Sequence, residues 1–380
     1  MTPPDVHHGC CAPSAEVLVD ASARERTGVP GRRPALRGDH GVEQVLVPAQ
    51  TFSMGDAGGD AKWGDGETPV HAVAVSGFGV DATSVTNDDF ARFVENTGYR
   101  TDAEVFGYSA VFHLALAADT DDVLGQPPAT PWWLGVRGAD WLHPGGRHSG
   151  VDDIGDHPVV HVSWNDAVAY CDWAGRALPT EAQWEAASRG GLHGARYPWG
   201  DDLGVEWRTN VFQGSFPSEN TGDDGYLTTA PVRSFAPNGY GLWQTVGNVW
   251  EWCADVFDEQ TYAHDAALGI VHDPVGPSAP RPSRGSQARP TDAPRVMRGG
   301  SYLCHDSYCN RYRNSARSQN TPDSSTGNAG FRTVTAPTAP TTPTTPGAST
   351  APAAPAAPDT RLPPQRPDGR THPSDGVPRG

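Results

Sequence analysis

Two of the six cysteines lie in one short stretch, which reads Arg298-Gly299-Gly300-Ser301-Tyr302-Leu303-Cys304-His305-Asp306-Ser307-Tyr308-Cys309. Thiols five positions apart do not face each other on a straight helix, where neighbours are three and four apart. A turn or loop would bring both sulfurs together. Soft thiolates select Cu(I) or zinc, and the nearby Arg298, Arg311 and Arg313 would favour the thiolate form. The spacing alone leaves three interpretations open: an incidental buried pair, a redox disulfide and a metal site.

Aromatic residues mark the folded part of the chain around this stretch. All 12 tryptophans fall between Trp63 and Trp252. The tail over 335–380 holds 12 of the 36 prolines, set among Ala and Thr, and such a composition predicts a disordered or polyproline-like segment. Residues 1–41 are polar and rich in Pro, Gly and His, so we expect a flexible segment there too. One folded domain is therefore predicted over residues 42–334.

Three helices are predicted inside this domain. The first begins near Thr86, the second runs from a Ser163 cap to Gly175, and the third starts at Thr180 with Gln183 at capping-box spacing. Apolar residues at helical spacing support the first two: Phe90, Phe93, Val94, Trp164, Ala167, Val168 and Cys171. The remainder consists of short strand-like segments and turns rich in Gly, Asn and Asp. The fold class is therefore predicted as compact α+β with little regular secondary structure.

The cysteine stretch continues into a longer pattern that is recognisable as a whole. It runs on through Arg311-Tyr312-Arg313, Ala316-Arg317-Ser318-Gln319-Asn320-Thr321-Pro322-Asp323-Ser324-Ser325 and Gly327-Asn328-Ala329-Gly330-Phe331-Arg332. Further landmarks occur in order at Pro48, Met54-Gly55, 157–164, 178–185, 197–200 and 246–252. The chain resembles the formylglycine-generating enzymes of the sulfatase-modifying factor family, in their bacterial cytoplasmic type. The earlier landmarks are shared with a wider superfamily, whereas the cysteine stretch is specific to these enzymes.

This resemblance implies a C-type-lectin-like fold and a copper- and O2-dependent oxidation. Cys304 and Cys309 would bind Cu(I) and act in catalysis together with Ser301, which would line the oxygen pocket. The substrate would be an unfolded sulfatase segment bearing Cys-x-Pro-x-Arg, whose cysteine completes the coordination and is converted to Cα-formylglycine. An open two-thiolate Cu(I) site is chemically suited to accept a third thiolate. The resemblance also places four residues around the substrate and the oxygen pocket: Trp250, His305, Tyr308 and Asn328.

Two structural calcium sites are also implied by the resemblance. The first would use side-chain oxygens of Asn210 and Asp224 and backbone carbonyls of Val211 and Tyr226, a mixture that calcium accepts. Without the resemblance, the same Asn and Asp could serve only as turn residues. The second site would comprise Gln244, Gly247, Val249 and Glu251. Gln244 stands where the family pattern leads us to expect asparagine.

The remaining cysteines carry a prediction about compartment. Cys171 and Cys253 are expected to be small core residues, and the cluster His7, His8, Cys10 and Cys11 is expected to be incidental. Secretory members of the family carry extra disulfides, but the positions that would complete them hold Ser188, Asn314 and Thr333. The N-terminus shows no apolar signal region. We therefore expect a cytoplasmic protein.

Composition excludes two other classes of function. The chain has 28 Lys plus Arg against 45 Asp plus Glu, a formal net charge of −17. Such a balance argues against nucleic-acid binding, whose affinity comes largely from neutralised phosphates, and it would attract a basic peptide. No apolar run approaches the roughly 18 residues that a membrane span needs.

Two alternatives to the oxidase stay open at this point. The same scaffold serves non-catalytic members, so the chain could be a ligand- or protein-binding module, although such a module has no need of both cysteines. Iron-dependent sulfoxide synthases also share the scaffold, but they use a histidine set from an extra helical domain. The chain contains no H-x3-H-x-E pattern of that kind.

Overall fold

A computed structural model of the chain describes residues 12–19, 37–62, 64–204, 206–279 and 293–335. Within these ranges the helices are short, and the longest have 11 residues. The prediction of an α+β fold with little regular secondary structure is therefore confirmed. The helices are α1 (Ala15–Leu18), α2 (Asn87–Thr97), α3 (Asp102–Phe106), α4 (Trp164–Ala174), α5 (Glu181–Ser188) and α6 (Thr261–Leu268).

The three predicted helices begin where their caps require. Thr86, Ser163 and Thr180 each accept a hydrogen bond from the third backbone N–H of α2, α4 and α5, and each helix has a complete capping box. Gly175 ends α4 at a φ of 65°, a left-handed conformation that glycine adopts without a Cβ clash. The face of α4 that the sequence predicts to be buried agrees only in part with the face that is buried in the structure. Ala167 and Cys171 are buried, but Tyr170 and Trp173 complete that face in place of Trp164 and Val168.

The strands form several small sheets. Their bounds are β1 (Gln44–Val47), β2 (Gln50–Met54), β3 (His71–Val75), β4 (Phe78–Asp81), β5 (Tyr108–Phe112), β6 (Val123–Gly125), β7 (Trp133–Arg137), β8 (Arg176–Ala177), β9 (Gly214–Ser215), β10 (Glu219–Asn220), β11 (Trp250–Val256), β12 (Val271–His272), β13 (Arg295–Arg298), β14 (Arg317–Asn320), β15 (Ala329–Gly330) and β16 (Val334–Thr335). The strand orders are β1-β4-β16-β8, β12-β3-β2, β5-β7-β6, β10-β9 and β14-β13-β11-β15.

The last of these sheets positions the cysteine stretch. β13 lies antiparallel to β11 and β14, so Arg298 faces Glu251 on one side and Arg317 on the other. β15 runs parallel to β11 and pairs Ala329 with Trp250. The cysteine stretch follows β13. It therefore begins beside the first residues of β11 and the residues that precede β15. Three segments distant in sequence meet at this point.

The largest apolar core lies directly against the cysteine stretch. It contains Phe90, Phe93, Tyr170, Trp173, Trp250, Trp252 and Phe331, and it also includes Cys304 and Cys309. Aromatic side chains of this size contribute most of the buried apolar area in such a core. The predicted roles of Cys171 and Cys253 as core residues agree with their burial in the same cluster.

Residues 12–19 depart from the expectation of a flexible N-terminal segment. Leu18 is 1% exposed and packs with Val19 against the β5–β7 sheet. Asn320 donates hydrogen bonds to the carbonyls of Ala12 and Pro13 at 3.0 and 3.2 Å. A few apolar residues suffice to dock this piece because a groove receives them, which composition alone does not reveal. The His7–Cys11 cluster and the predicted tail beyond Thr335 lie outside the described residues.

Asp166 makes the stability of the fold depend on pH. Its buried carboxylate accepts hydrogen bonds from Ser163 N at 2.8 Å, Tyr99 Oη at 3.0 Å and Asp102 N at 3.1 Å. Burial, and then the charge of Asp102, raise the pKa of Asp166 well above its usual value. Because the folded pKa lies above the unfolded one, the folded state binds this proton more tightly. The group's stabilising contribution is complete below the unfolded pKa and is lost as pH rises through the folded pKa.

We therefore predict that Asp166→Asn removes this loss. The variant forfeits part of the capping box at every pH, at a cost of about 1 kcal/mol. The free energy of unfolding is measured by urea titration from about pH 5 to about pH 8. As pH rises, the difference between variant and wild type should shift in favour of the variant. Asp89→Asn, at the matching position in α2, is the control for loss of a capping carboxylate, and it also removes an ion pair with Arg92. A difference between Asp166→Asn and wild type that stays constant with pH would refute the assignment.

None of the helices in the described ranges is long and apolar enough to cross a membrane.

Candidate functional site

Two glycines redirect the chain between β13 and the cysteines. Gly299 and Gly300 have φ values of 95° and 72°, a region that L side chains rarely adopt. A Cβ on Gly299 would lie 2.7 Å from the Thr245 carbonyl oxygen, and one on Gly300 would lie 2.6 Å from the Arg311 carbonyl oxygen. Both positions therefore require glycine. Because the two glycines pack closely against these carbonyls, the next residue, Ser301, lies at the edge of the apolar core.

Tight turns then fold the two cysteines back toward each other. Cys304 N donates to the Ser301 carbonyl at 2.9 Å, and Cys309 N donates to the His305 carbonyl at 3.0 Å. The thiols are 1% and 3% exposed, and neither is in a disulfide. Both line one cavity of about 10 Å³, together with Ser301, Leu303, Tyr308, Trp132 and Phe216. That volume suits about one water-sized molecule.

Ser301 is oriented by the residues around it. Its Oγ accepts a hydrogen bond from Asn328 Nδ2 at 2.9 Å and from Leu303 N at 3.3 Å. Thr326 Oγ1 donates to Asn328 Oδ1 at 2.7 Å, which fixes the Asn328 amide with its nitrogen toward Ser301. With both lone pairs of Ser301 occupied, its hydroxyl proton is directed elsewhere and can serve as a donor. Asn328 thus acts on Ser301 and does not line the cavity.

Trp250 carries a second donor of this kind. It is fully buried beside Asn328, whose carbonyl accepts from Trp250 N at 2.8 Å. Its indole Nε1–H is buried and has no hydrogen-bond partner among the described residues. A buried donor left unpaired costs about 1–3 kcal/mol, so such a group calls for an explanation. A small polar or oxygen-bearing ligand would satisfy it.

Two aromatic residues at the site were missed by sequence analysis. Trp132 and Phe216 line the cavity, and both pack on Tyr308, with ring centroids 5.2 and 4.5 Å apart respectively. Both lie in loops without periodicity, so no pattern places them near the cysteines. The neighbouring tryptophan, Trp133, is buried in β7, and this adjacency was the only signal available.

His305 lies at the rim of the site. Its Nδ1 contacts Ser307 Oγ at 2.7 Å and Asp306 Oδ1 at 3.2 Å, and its ring meets Phe212 edge-on. It does not line the cavity between the two thiols. The predicted substrate-side residues therefore separate into Tyr308 in the cavity wall, His305 at the rim, and Trp250 and Asn328 behind Ser301.

The neighbouring arginines each pair with carboxylates. Arg298 pairs with Glu181 and Glu185 at 3.0 and 2.5 Å. Arg311 pairs with Asp65 at 2.6 Å, and Arg313 pairs with Glu67 at 2.8 Å. All three guanidinium groups are buried and neutralised by carboxylates. That these arginines favour the thiolate forms of the cysteines stays a prediction, and the carboxylates that pair with them come from segments far away in sequence.

A model of the sulfatase-modifying factor enzyme 1-like domain matches residues 32–337. The chain belongs to this family. It is 56% identical to the formylglycine-generating enzyme of Streptomyces coelicolor, over 79% of this chain and 91% of that protein. It is 40% identical to the inactive C-alpha-formylglycine-generating enzyme 2 of Bos taurus, over 80% of this chain and 92% of that protein.

A solved structure supports the family fold. PvdO from Pseudomonas aeruginosa superposes with a TM-score of 0.54 at 20% sequence identity, covering 81% of this chain and 99% of PvdO. At that identity the similarity speaks for the fold alone. The predicted family and its scaffold are therefore confirmed.

Residues predicted to bind the first calcium ion lie around the side-chain amide of Gln213. Asn210 Oδ1 is buried and has no partner among the described residues. Asp224 Oδ2 accepts from Val211 N at 3.1 Å and from Gln213 Nε2 at 2.7 Å, and Oδ1 accepts from Tyr226 N at 2.9 Å. Gln213 Nε2 also contacts the Val211 carbonyl. The amide nitrogen thus bridges two of the predicted ligands, as a cation would.

The second calcium site is less complete. Gln244 has a φ of 44° and a buried Oε1 without a partner in the described part of the chain. Asparagine is enriched at such positive φ values, which explains the residue that the family pattern leads us to expect. Glu251, in contrast, accepts four hydrogen bonds, from Ser84, Trp184 and twice from Arg332. Gly247 packs against Asn210, and Val249 is buried in the same turn.

The described residues contain no group of three or more His, Cys, Asp or Glu side chains placed to hold one metal ion. Burial raises the pKa of Cys171 and of Cys253 well above the usual value, so both stay protonated thiols. Among the cysteines in the described residues, Cys304 and Cys309 are the two that line one cavity.

Proposed function

We propose that the protein is a copper- and O2-dependent oxidase that converts the cysteine of a sulfatase Cys-x-Pro-x-Arg motif to Cα-formylglycine. The observation that carries this proposal is the meeting of two buried thiols in one cavity beside an oriented Ser301 hydroxyl. Two soft ligands, with no third His, Cys, Asp or Glu beside them in the described residues, suit Cu(I) and leave room for a substrate thiolate. The high identity to proteins named formylglycine-generating enzyme supports the same activity.

Cys304 and Cys309 would hold the copper ion. The ion, when bound, supplies the one-electron chemistry with O2 that side chains lack. The small cavity and its aromatic walls would exclude water around the reacting sulfur. The Ser301 hydroxyl and the Trp250 indole N–H would donate hydrogen bonds to oxygen atoms that gain negative charge, as preorganised donors do in other enzymes.

The aromatic wall of Trp132, Phe216 and Tyr308 would receive the residues that follow the substrate cysteine. All three rings are partly exposed, and flat aromatic faces suit a proline ring. The overall conversion consumes R–CH2–SH, O2, two electrons and two protons, and it yields R–CHO, hydrogen sulfide and water. Two of the four electrons that reduce O2 come from the substrate, so an external thiol or a similar reductant must supply the other two.

The alternative is a module that binds such a peptide without reacting. A relative named as inactive is 40% identical over 80% of the chain, so the scaffold alone does not establish catalysis. The experiment that separates the two hypotheses incubates the copper-loaded protein with a Cys-x-Pro-x-Arg peptide, a thiol reductant and air. An oxidase yields an aldehyde that an aminooxy probe captures, whereas a binding module yields a peptide complex and no aldehyde. A peptide with serine in place of the cysteine is the control.

We propose that Asn210, Val211, Asp224 and Tyr226 bind a structural Ca²⁺, and that Gln244, Gly247, Val249 and Glu251 form a weaker second site. The unpartnered Asn210 oxygen and the carboxylate of Asp224 support the first. The four donors already on Glu251 make the second the less favourable of the two.

We predict that Ca²⁺ raises thermal stability through the first site. A ligand at about 100 times its Kd stabilises a protein by about 2.7 kcal/mol, so chelation should lower the Tm by several degrees. Asp224→Asn should abolish this response. Asp223→Asn, one residue away and exposed, should retain it. Equal melting curves with Ca²⁺ and with chelator would contradict the assignment.

We also propose a cytoplasmic location. The positions that would complete the extra disulfides of secretory relatives hold Ser188, Asn314 and Thr333, and Ser188 Oγ donates to Asn314 Oδ1 at 2.8 Å. A chain that lacks these bridges suits a reducing compartment.

A further inference from the structure

The connection between β2 and β3 reaches across the fold to the cysteine stretch. This connection carries Asp56, Asp60, Asp65 and Glu67, and its described residues, 55–62 and 64–67, are called the acidic loop. Asp56 N donates to the Glu67 carbonyl at 2.9 Å, which closes the loop on itself. The Asp56 carboxylate accepts from Ala61 N at 2.9 Å. The loop is therefore a fixed structure within its own segment.

Two of its carboxylates form ion pairs with arginines in the segment that follows Cys309. Asp65 accepts from Arg311 Nε at 2.6 Å and from Arg311 Nη2 at 2.9 Å. Glu67 accepts from Arg313 Nη1 at 2.8 Å and from Arg313 Nη2 at 2.9 Å. Each pair is a two-point fork between buried groups 246 residues apart in sequence. Bidentate arginine–carboxylate pairs fix geometry as well as contributing energy.

Arg313 also contacts the backbone beside Cys309. Arg313 Nε donates to the Asn310 carbonyl at 2.8 Å, and Asn310 has a φ of 46°. Asn310 N donates to the His305 carbonyl at 3.0 Å, as Cys309 N does. The Arg311 carbonyl also lies against Gly300, next to Ser301. The two arginine forks thus hold the backbone that begins one residue after Cys309.

Cys304 is held in a different way. Its backbone N donates to the Ser301 carbonyl at 2.9 Å, its carbonyl accepts from Phe212 N at 3.1 Å, and its sulfur accepts from Ser301 N at 3.4 Å. None of these contacts involves the acidic loop directly. Moving the forks would therefore act first on the segment that follows Cys309, and on the Cys304 side only through the contact of the Arg311 carbonyl with Gly300.

We propose that Asp65 and Glu67 are positioning residues that set the distance between the two thiols through Arg311 and Arg313. The part of this inference that concerns copper rests on the proposed function. A metal held by two thiolates is sensitive to their separation, and partners outside the ligand set change metal affinity by about 10–100-fold. The acidic loop is in this sense part of the metal site.

The test uses the full chain with Asp65→Asn, which keeps the shape of the side chain and removes its charge. The double variant Asp65→Leu with Arg311→Met removes both charges and so leaves no buried cation unpaired. Asp81→Asn is the matched control, since Asp81 is fully buried and pairs with His40 at 2.8 Å, away from the cysteine stretch. Melting temperatures identify variants of equal stability.

Two measurements then separate the positioning of Cys309 from metal binding. In copper-free protein, iodoacetamide labelling followed by peptide mass analysis reports each thiol. We expect Cys309 to react at least about fivefold faster in both Asp65 variants and Cys304 to change less than about twofold. Competition with bicinchoninate should show Cu(I) affinity lowered by about 10-fold or more. Asp81→Asn should change neither.

Unchanged Cys309 labelling in the Asp65 variants would overturn the positioning role, and so would equal changes in the Asp81 control. Wild-type protein that fails to bind Cu(I) would instead overturn the proposed function. The labelling result would then still decide whether the acidic loop positions Cys309.

Discussion

Replacing Cys309 with serine is expected to abolish formylglycine production and Cu(I) binding while leaving the chain folded. A hydroxyl is a hard, weakly acidic ligand and cannot replace a thiolate on Cu(I). The loss should therefore exceed the roughly 10–100-fold that removal of a partner outside the ligand set costs. Cys304→Ser should behave in the same way, because both thiols line the same cavity. Aldehyde yield by mass spectrometry and Cu(I) competition measure the two effects.

Cys171→Ser is the matched control for these variants. Cys171 is also a buried thiol, but burial raises its pKa and it packs in α4. We expect a loss of stability and no loss of aldehyde per folded molecule. Activity retained by either Cys304→Ser or Cys309→Ser would remove the thiol pair from the mechanism.

Arg332→Met is expected to cause a large loss of stability. Arg332 donates to both carboxylate oxygens of Glu251 at 2.7 and 2.8 Å, and both groups are almost fully buried. It also donates to the carbonyls of Asp81 and Trp243. Removing it leaves Glu251 as a buried charge without its cation, which costs about 3–5 kcal/mol. Urea unfolding at neutral pH measures the change.

The double variant Arg332→Met with Glu251→Met separates the buried charge from the lost contacts. It should be less destabilised than the sum of the two single variants, by about 0.5–3 kcal/mol. Strict additivity would show that the pair is not coupled.

Local chemistry explains which parts of the fold were predictable. Thr86, Ser163 and Thr180 begin helices because a side-chain oxygen satisfies an otherwise unpaired N–H, a property of a few neighbouring residues. Residues 12–19 could not be predicted in the same way. Their burial depends on a groove made by β5 and β7, which no local pattern records.

The site, too, contains parts that depend on local sequence and parts that depend on contacts between distant segments. The cysteine stretch carries its own turns and glycines, so its sequence predicts that the two cysteines come together, and the structure shows that both are free thiols. Trp132 and Phe216 arrive from loops, and Asp65 and Glu67 arrive from a connection 246 residues away. The charges of Arg311 and Arg313 suggested activated thiolates, and only the structure shows that both are already neutralised. Long-range pairing of buried charge cannot be read from a single sequence.

The most direct test of the account is the dependence of aldehyde formation on copper. Copper-free protein is titrated with Cu(I) and then given the Cys-x-Pro-x-Arg peptide, a thiol reductant and O2. The peptide should lose about 18 Da as CH2–SH becomes CHO, with activity rising linearly to about one Cu(I) per chain, as one two-thiolate site requires. No aldehyde should form without O2. Full conversion by copper-free protein, or copper-loaded protein that binds the peptide and leaves its mass unchanged, would contradict the account.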